Sequence, residues 1–133
     1  DHTPGFGSAA KFVATTVREI AIDASVYDNK NSVTIVEIMG RHAGWLTAAS
    51  ALARKFEGDN PVLIYLPEVA FNQEEFLEKV KKALETTPNL VVCVSEGIND
   101  GMVLLSVNLQ ATWVLIPLVI RCLQAPENTW RIS

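Results

Sequence analysis

The spacing of apolar residues along the chain predicts three helices. In the first, from Gly7 to Ala24, apolar residues recur every three or four positions, as in an amphipathic helix: Phe12, Val13, Val17, Ile20, Ala21 and Ala24. The second runs from Ala43 to Lys55, with one apolar face formed by Trp45, Leu46, Ala49, Leu52 and Ala53. The third runs from Gln73 to Thr86, and its predicted buried stripe consists of Phe76, Leu77, Val80 and Leu84.

The third helix also has a start signal and a polar face. Asn72, with Glu75 three positions later, fits a capping arrangement before the first helical turn. Glu78, Lys81 and Lys82 fall opposite the apolar stripe, so we expect them to face water.

Three continuous apolar runs lie between and after the helices and are predicted to be strands: Val33 to Met39, Val62 to Leu66 and Asn89 to Ser95. Continuous rather than alternating apolar residues are typical of parallel strands that are covered on both faces. The helix–strand order therefore predicts an α/β fold, a partial three-layer sandwich with a mainly parallel sheet.

The junction after the first strand holds Met39, Gly40 and Arg41. In an open α/β sheet, ligands bind at the carboxyl ends of the strands. A helix N-terminus there offers free N–H groups and the positive end of a dipole to an anion. Because the guanidinium of Arg41 is always charged and suits phosphate, this junction is the candidate ligand site.

Composition narrows the function classes. The 133 residues amount to about one domain and are 49% hydrophobic and 20% charged, which is ordinary for a globular protein. The net charge of −4 comes without a basic stripe, so nucleic acid is not expected as a partner. A phosphorylated small molecule stays possible, since one or two local arginines are enough to bind it.

The two cysteines favour a reducing, cytoplasmic compartment. Cys93 and Cys122 lack metal-type or redox spacing, and Cys93 sits in an apolar run where a buried hydrophobic role is expected. We expect no signal peptide before the domain. The sequence begins at Asp1 without an initiator methionine, from which we expect a fragment.

The composition changes after Gly101. Residues 102–133 carry three charged side chains but two of the three tryptophans. The run from Trp113 to Ile120 is too short to span a membrane and contains Pro117, so we expect no membrane anchor. An ordinary buried segment is the simpler alternative, although neither helical periodicity nor clean strand alternation supports it.

A shift of the reading frame offers another interpretation of this tail. Read from the last base of the Gln124 codon, Ala125 to Ser133 is compatible with Gly-Thr-Gly-Lys-His-Leu-Glu-Asn-Phe. The same shift from Leu115 to Gln124 is compatible with Asp-Thr-Phe-Gly-His-Ser-Met-Leu-Ala. The chain is therefore divided into an α/β part, 1–101, and a divergent tail, 102–133, for which a frameshift is our hypothesis.

Four motifs together resemble the phosphofructokinase family, in the bacterial branch that includes pyrophosphate-dependent enzymes. They lie within residues 1–101 and are Asp1-His-Thr-Pro-Gly-Phe-Gly-Ser-Ala-Ala-Lys11, Val36-Glu-Ile-Met-Gly-Arg-His-Ala-Gly-Trp45, Tyr65-Leu-Pro-Glu-Val69 and Val94-Ser-Glu-Gly97. The shifted tail is also similar to family sequence, with a Phe-Gly-His stretch followed by Gly-x-Gly-Lys.

The resemblance implies a phosphofructokinase-like fold and phosphoryl transfer from ATP or pyrophosphate to the 1-hydroxyl of fructose 6-phosphate, with Mg²⁺, in glycolysis. Such chemistry depends on positioning and charge neutralisation. Met39, Gly40 and Arg41 match the family's sugar-phosphate-contacting segment, and Glu96 matches the acidic residue that binds sugar hydroxyls. A homo-oligomer is expected for the intact enzyme, with neither nucleic acid nor a membrane as partner.

The departures from the family pattern concern catalysis. The Thr-Ile-Asp-Asn-Asp motif with the general base should lie just before Asp1 and is absent, as are the Gly-rich loops for the phosphoryl donor and metal. The later His and Arg that hold the 6-phosphate would follow the point where the tail diverges. Ser32 stands where many ATP-dependent members carry a phosphate-binding arginine from a neighbouring subunit. We therefore expect no catalytic residue and no metal ligand in this chain, and no activity as written.

Structural interpretations of the site residues stay open. Met39 fits a core residue at a strand end, and Arg41 fits a surface ion pair. At the level of the whole chain, the alternative to an enzyme fragment is a non-catalytic α/β module that binds sugar phosphate or pairs with intact subunits.

Neighbouring polar residues have structural interpretations as well. His42 fits a polar residue at a helix start, because no partner carboxylate is evident. Glu68 could cap the loop before Asn72, although some family members use this position near an effector site. Asp1 and His2 would follow the missing catalytic motif and shape that loop.

Overall fold

A computed structural model describes residues 5–26, 31–98, 112–115 and 119–124. Its elements in chain order are α1 (Phe6–Ser25), β1 (Ser32–Ile38), α2 (Trp45–Ala49) with a 3₁₀ turn (Ser50–Ala53), β2 (Leu63–Tyr65), α3 (Gln73–Thr86), β3 (Asn89–Ser95), β4 (Thr112–Leu115) and β5 (Val119–Gln124). The three helices and three strands predicted for residues 1–101 are all present, with shifted ends in α1, β1, α2 and β2.

The five strands form one sheet in the order β2-β3-β1-β5-β4. The three strands predicted from sequence are parallel neighbours, and β1 and β3 run in full register from Ser32 opposite Asn89 to Ile38 opposite Ser95. Both strands therefore end at the same edge of the sheet. This arrangement confirms the predicted, mainly parallel α/β architecture.

The tail adds two antiparallel strands that its sequence pattern did not indicate. The backbone of β5 pairs with β1, and β4 pairs with β5. Without β5, the N–H and C=O groups along that side of β1 would form an open edge, and such edges seek a pairing partner. Pairing with β5 thus satisfies the backbone groups of β1. An alternating sequence pattern reflects side-chain burial instead, so it does not report this pairing.

Helices cover both faces of the parallel strands. On one face, α1 and the α2–3₁₀ segment pack on Val36, Ile38, Val91 and Cys93. On the other, Phe76 and Val80 of α3 pack among Ile35, Leu90 and Val92. Successive strand residues point to opposite faces, so covering both faces requires the continuous apolar runs seen in the sequence.

The first and third helices follow their sequence patterns closely. The bounds of α3 are the predicted ones, and the Asn72 side-chain oxygen accepts hydrogen bonds from the backbone N–H groups of Glu74 (2.9 Å) and Glu75 (3.2 Å). Phe76 and Val80 are buried, while Leu77 and Leu84 are partly buried. In α1 the predicted face is buried or half-buried except for Phe12, which is exposed.

The second helix differs from its prediction in length and in orientation. It has five α-helical residues followed by a 3₁₀ turn, and it ends before Arg54, whose Nε donates to the Pro61 carbonyl at 2.6 Å. Trp45 and Leu52 are 73% and 71% exposed, while Thr47 and Ser50 are fully buried. The predicted apolar face is therefore wrong at Trp45 and Leu52, whereas Leu46 is partly buried; small side chains let this segment approach α1 and the sheet.

Candidate functional site

The site lies where β1 and β3 end side by side. Because the two strands are in register, the turn after Ile38 and the turn after Ser95 are neighbours. The pairing continues one step further, since the Glu96 N–H donates to the Ile38 carbonyl at 3.0 Å. Topology alone thus brings together two segments that are more than 50 residues apart in sequence.

Two of the predicted site residues make direct contact at this edge. The backbone N–H of Gly40 donates to Oε1 of Glu96 at 3.2 Å, and the Glu96 side chain is exposed. Gly40 has a φ of 137°, and a Cβ there would lie 2.6 Å from the Ala43 carbonyl oxygen. Only glycine adopts this conformation without strain, so Gly40 is required for the turn itself.

Ser95, the last residue of β3, also joins these two segments. Its hydroxyl donates to the Gly40 carbonyl at 2.6 Å and accepts from the Gly97 N–H at 3.2 Å. The residue is 3% exposed. From the sequence, Ser95 is the end of an apolar strand and part of the Val94–Gly97 motif, with no role of its own assigned. The signal that could have found its role is a hydroxyl placed directly before the candidate Glu96.

Gly97 permits the close approach of the two turns. A Cβ on Gly97 would collide with the carbonyl oxygen of Arg41 and would lie 2.8 Å from the Arg41 Cα. Because backbone atoms cannot move aside as a flexible side chain does, a larger residue here would push the turns apart. This role of Gly97 was not recognised from the sequence.

Met39 and Arg41 present their side chains outward. Met39 is 64% exposed, so its interpretation as a core residue is wrong. Arg41 is exposed, and within residues 5–26 and 31–98 the one ion pair joins Lys79 to Glu75 at 2.6 Å. The interpretation of Arg41 as a surface ion pair therefore has no support there. His42 is also exposed, in the turn before α2.

The expected helix N-terminus is not the anion-binding element of this site. Helix α2 begins at Trp45, four residues after Arg41, and is only five residues long. The Gly44 N–H at its start donates to Oε1 of Glu68 at 2.7 Å. The Glu68 carboxylate thus already binds the first N–H at the start of this short helix.

Glu68 has a structural role that differs from the proposed cap before Asn72. Its carboxylate holds Gly44, and a Cβ on Gly44 would lie 2.8 Å from both Glu68 Oε2 and Pro67 Cδ. The turn after β2 is therefore packed against the start of α2. This contact holds the start of α2 against the turn that follows β2.

Other candidate residues lie away from this edge. Ser32 begins β1 at the opposite end of the strand, where its hydroxyl donates to the Asn89 side-chain oxygen at 2.9 Å. Burial raises the pKa of Cys93 to about 12, in keeping with its expected role as a buried hydrophobic residue. Asp1 and His2 lie outside the described residues.

The described residues contain neither a group of metal-binding side chains nor a membrane-spanning helix. Across the residues that the structure describes, no three His, Cys, Asp or Glu side chains are grouped so that they could hold a metal ion. In that part, too, every helix is too short or too polar to cross a bilayer.

Comparison with known proteins identifies the class to which this fold and edge belong. Residues 1–118 match the family described as Phosphofructokinase, and the chain belongs to the phosphofructokinase family. The chain is 52% identical over 102 residues to a pyrophosphate–fructose 6-phosphate 1-phosphotransferase of Xanthomonas campestris pv. campestris. The aligned region covers 76% of this chain and 24% of that protein. The predicted family and branch are confirmed.

Further relatives show the range of the family. An ATP-dependent 6-phosphofructokinase of Shouchella clausii is 31% identical over 103 residues, 77% of this chain and 30% of that protein. A crystal structure of the pyrophosphate-dependent phosphofructokinase of Marinobacter aquaeolei superposes with a TM-score of 0.67 at 45% identity, over 72% of this chain and 25% of that one. The chain spans about a quarter of the length of its pyrophosphate-dependent relatives.

Proposed function

We propose that this chain forms part of the fructose 6-phosphate site of a 6-phosphofructokinase, an enzyme that transfers a phosphoryl group from ATP or pyrophosphate to fructose 6-phosphate in glycolysis. The observation that carries this proposal is the hydrogen bond from the Gly40 N–H to Glu96. It places the segment of Met39, Gly40 and Arg41 beside Glu96, at the sheet edge where α/β proteins bind ligands.

The two charged side chains have complementary tasks in this proposal. The guanidinium of Arg41 is exposed and suits a phosphate dianion, with which it forms charge-assisted hydrogen bonds. The Glu96 carboxylate uses Oε1 to accept from Gly40, which leaves its other oxygen for a sugar hydroxyl. Together they select a molecule that carries a phosphate and hydroxyl groups on one carbon skeleton.

These residues bind substrate and do not transfer the phosphoryl group. The sequence holds no Thr-Ile-Asp-Asn-Asp motif, so proton transfer is assigned to residues outside it. Magnesium, which the family implies for charge neutralisation, finds no grouped ligands in the described part of the chain, and no step is routed through it. A cytoplasmic location and homo-oligomeric assembly of the intact enzyme belong to the same proposal.

For the phosphoryl donor, the relatives favour pyrophosphate. Pyrophosphate-dependent relatives are 52% and 50% identical to the chain, against 31% for the ATP-dependent enzyme of Shouchella clausii. The Gly-rich loops with which the family binds the phosphoryl donor are absent from this sequence, so overall similarity carries the preference for pyrophosphate.

Calorimetry on the 133-residue chain tests the proposed site. We expect fructose 6-phosphate to bind more tightly than fructose, and Arg41→Ala to lose most of that preference, because the phosphate then lacks its cation. Arg18→Ala is the matched control, since Arg18 is an exposed arginine on α1. Equal binding of the two sugars, or unchanged binding by Arg41→Ala, would contradict the proposal.

A subunit-interaction module is the second candidate, and one observation favours it. Trp45 and Leu52 are seven residues apart on the α2–3₁₀ segment, a spacing that places them on the same side, and both are largely exposed. Large exposed apolar side chains are typical of surfaces that another protein covers. Sedimentation of the chain and of Trp45→Ser would detect such pairing, which sugar binding alone does not require.

A further inference from the structure

Building on the proposed function, we propose that Ser95 is a positioning residue for sugar-phosphate binding. Its buried hydroxyl sets the spacing between the Glu96 carboxylate and the segment that carries Arg41. Ser95 touches no ligand in this arrangement and acts through the two turns that it joins.

The hydroxyl group uses both of its hydrogen-bonding functions at once. It donates its single hydrogen to the Gly40 carbonyl at 2.6 Å and accepts from the Gly97 N–H at 3.2 Å. Water does not compete for either bond, since Ser95 is 3% exposed. One buried atom therefore connects the end of β1 with the turn that follows β3.

Gly40 is held on both sides by consecutive residues. Its N–H is bound by Glu96 and its carbonyl by Ser95. Glycine has more accessible backbone conformations than any other residue. The contacts of Gly40 therefore decide that its φ of 137° is populated. If the Ser95 hydroxyl is lost, the peptide that leads into Arg41 loses one of its two constraints.

The covalent chain does not supply this constraint. Gly40 and Ser95 are 55 residues apart, and the last backbone bond between the two segments is the one from the Glu96 N–H to Ile38. Beyond that point, the Ser95 hydroxyl and the Glu96 carboxylate provide the hydrogen bonds that fix the distance. Binding of one ligand by Arg41 and Glu96 together depends on that distance.

Three variants of the full 133-residue chain separate positioning from general stability. Ser95→Ala removes the hydroxyl, and Ser95→Thr keeps it. Ser50→Ala is the matched control, because Ser50 is also fully buried and its hydroxyl also donates to a backbone carbonyl, that of Thr47, away from the site. Nuclear magnetic resonance gives the hydrogen-exchange rate of the Gly97 amide and the chemical shift of the Gly40 amide, and calorimetry gives the dissociation constant for fructose 6-phosphate.

We expect Ser95→Ala to accelerate exchange at Gly97 on the order of tenfold and to shift the Gly40 resonance, because a buried hydrogen bond is lost. The dissociation constant should rise by about the same factor. Ser95→Thr should restore all three readouts, and Ser50→Ala should leave them unchanged even if it lowers the unfolding midpoint.

The outcomes distinguish this inference from the proposed function. If the unchanged chain does not bind fructose 6-phosphate, the proposed function fails, and the exchange rate and chemical shift still decide whether Ser95 joins the two turns. If Ser95→Ala leaves both resonance readouts unchanged, the inference is overturned whatever binds. It is also overturned if both readouts change while the dissociation constant does not.

Discussion

The two ends of the parallel strands use similar hydrogen bonds for different results. At the amino end, the Ser32 hydroxyl donates to the Asn89 side chain, and the Asn60 side chain donates to the Asn89 carbonyl at 2.7 Å and accepts from the Val91 N–H at 2.8 Å. At the carboxyl end, Ser95 and Glu96 hold Gly40.

The difference lies in what these contacts leave accessible. The polar side chains of the amino end bind one another and the strands, and they are buried or half-buried. At the carboxyl end, the buried hydroxyl of Ser95 binds backbone only, while Arg41 and Glu96 remain exposed. The amino end thus aligns strands, whereas the carboxyl end leaves two charged side chains exposed.

The largest effect on stability is expected for Gly97→Ala. The new Cβ collides with the backbone of Arg41, so the free energy of unfolding should fall by about 3 kcal/mol or more. Urea denaturation measures this, with Gly7→Ala as control. Gly7 lies in α1, where an added Cβ would meet no atom within 4 Å, and its substitution should be neutral or stabilising. A change below about 0.5 kcal/mol for Gly97→Ala would show that the turns are not tightly packed.

At the amino end, Asn60→Ala should cost about 2 kcal/mol in the free energy of unfolding. It leaves the Asn89 carbonyl and the Val91 N–H without the side chain that binds both. Chemical denaturation of Asn60→Ala beside Asn31→Ala, an exposed asparagine, gives the comparison. The affinity for fructose 6-phosphate should not change; a large loss would mean that the two ends are coupled.

A smaller effect is expected from alkaline pH, through Cys93 between the two ends. Burial raises the pKa of this thiol from 9.0 to about 12, so the folded state keeps it neutral after the unfolded chain has begun to ionise. Stability is complete below pH 9 and should be lower by about 1 kcal/mol at pH 10, because the unfolded state gains from ionisation first. Denaturation of Cys93→Ala across the same pH range should lack this component.

The smallest stability effect is expected for Arg41→Ala. The side chain is exposed, so the free energy of unfolding should change by less than about 0.5 kcal/mol, although we expect most of the preference for fructose 6-phosphate over fructose to be lost. Thermal unfolding without ligand checks this. A clear loss of stability would place Arg41 among the structural residues and would remove the contrast between the two ends.

The sequence predicts most where the signal is local. The bounds of α3 and β3 follow from the Asn72 cap and from a continuous apolar run, both of which operate within a few residues. The position of Met39, Gly40, Arg41 and Glu96 at one edge follows from the rule that parallel strands end together. Their role as site residues is a prediction that rests on the resemblance to the family.

Long-range contacts could not be predicted in the same way. The hydrogen bond from Gly44 to Glu68 at the start of α2 spans 24 residues, and a helical pattern contains no record of that contact. The role of Ser95 depends on the register between β1 and β3, which only the folded sheet provides. The pairing of β5 with β1 satisfies backbone N–H and C=O groups, and the sequence of β5 shows no clear alternation that would indicate it.

The equal length and full register of β1 and β3 restrict how this family member can vary. Each strand has seven residues, and a residue inserted into or deleted from either one would move the following turn by about 3.3 Å and reverse its facing. Glu96 would then no longer accept the hydrogen bond from the Gly40 N–H, even if no side chain were changed. Length variation among functional homologues should therefore be confined to the connections, such as residues 54–62, and should be absent from these two strands.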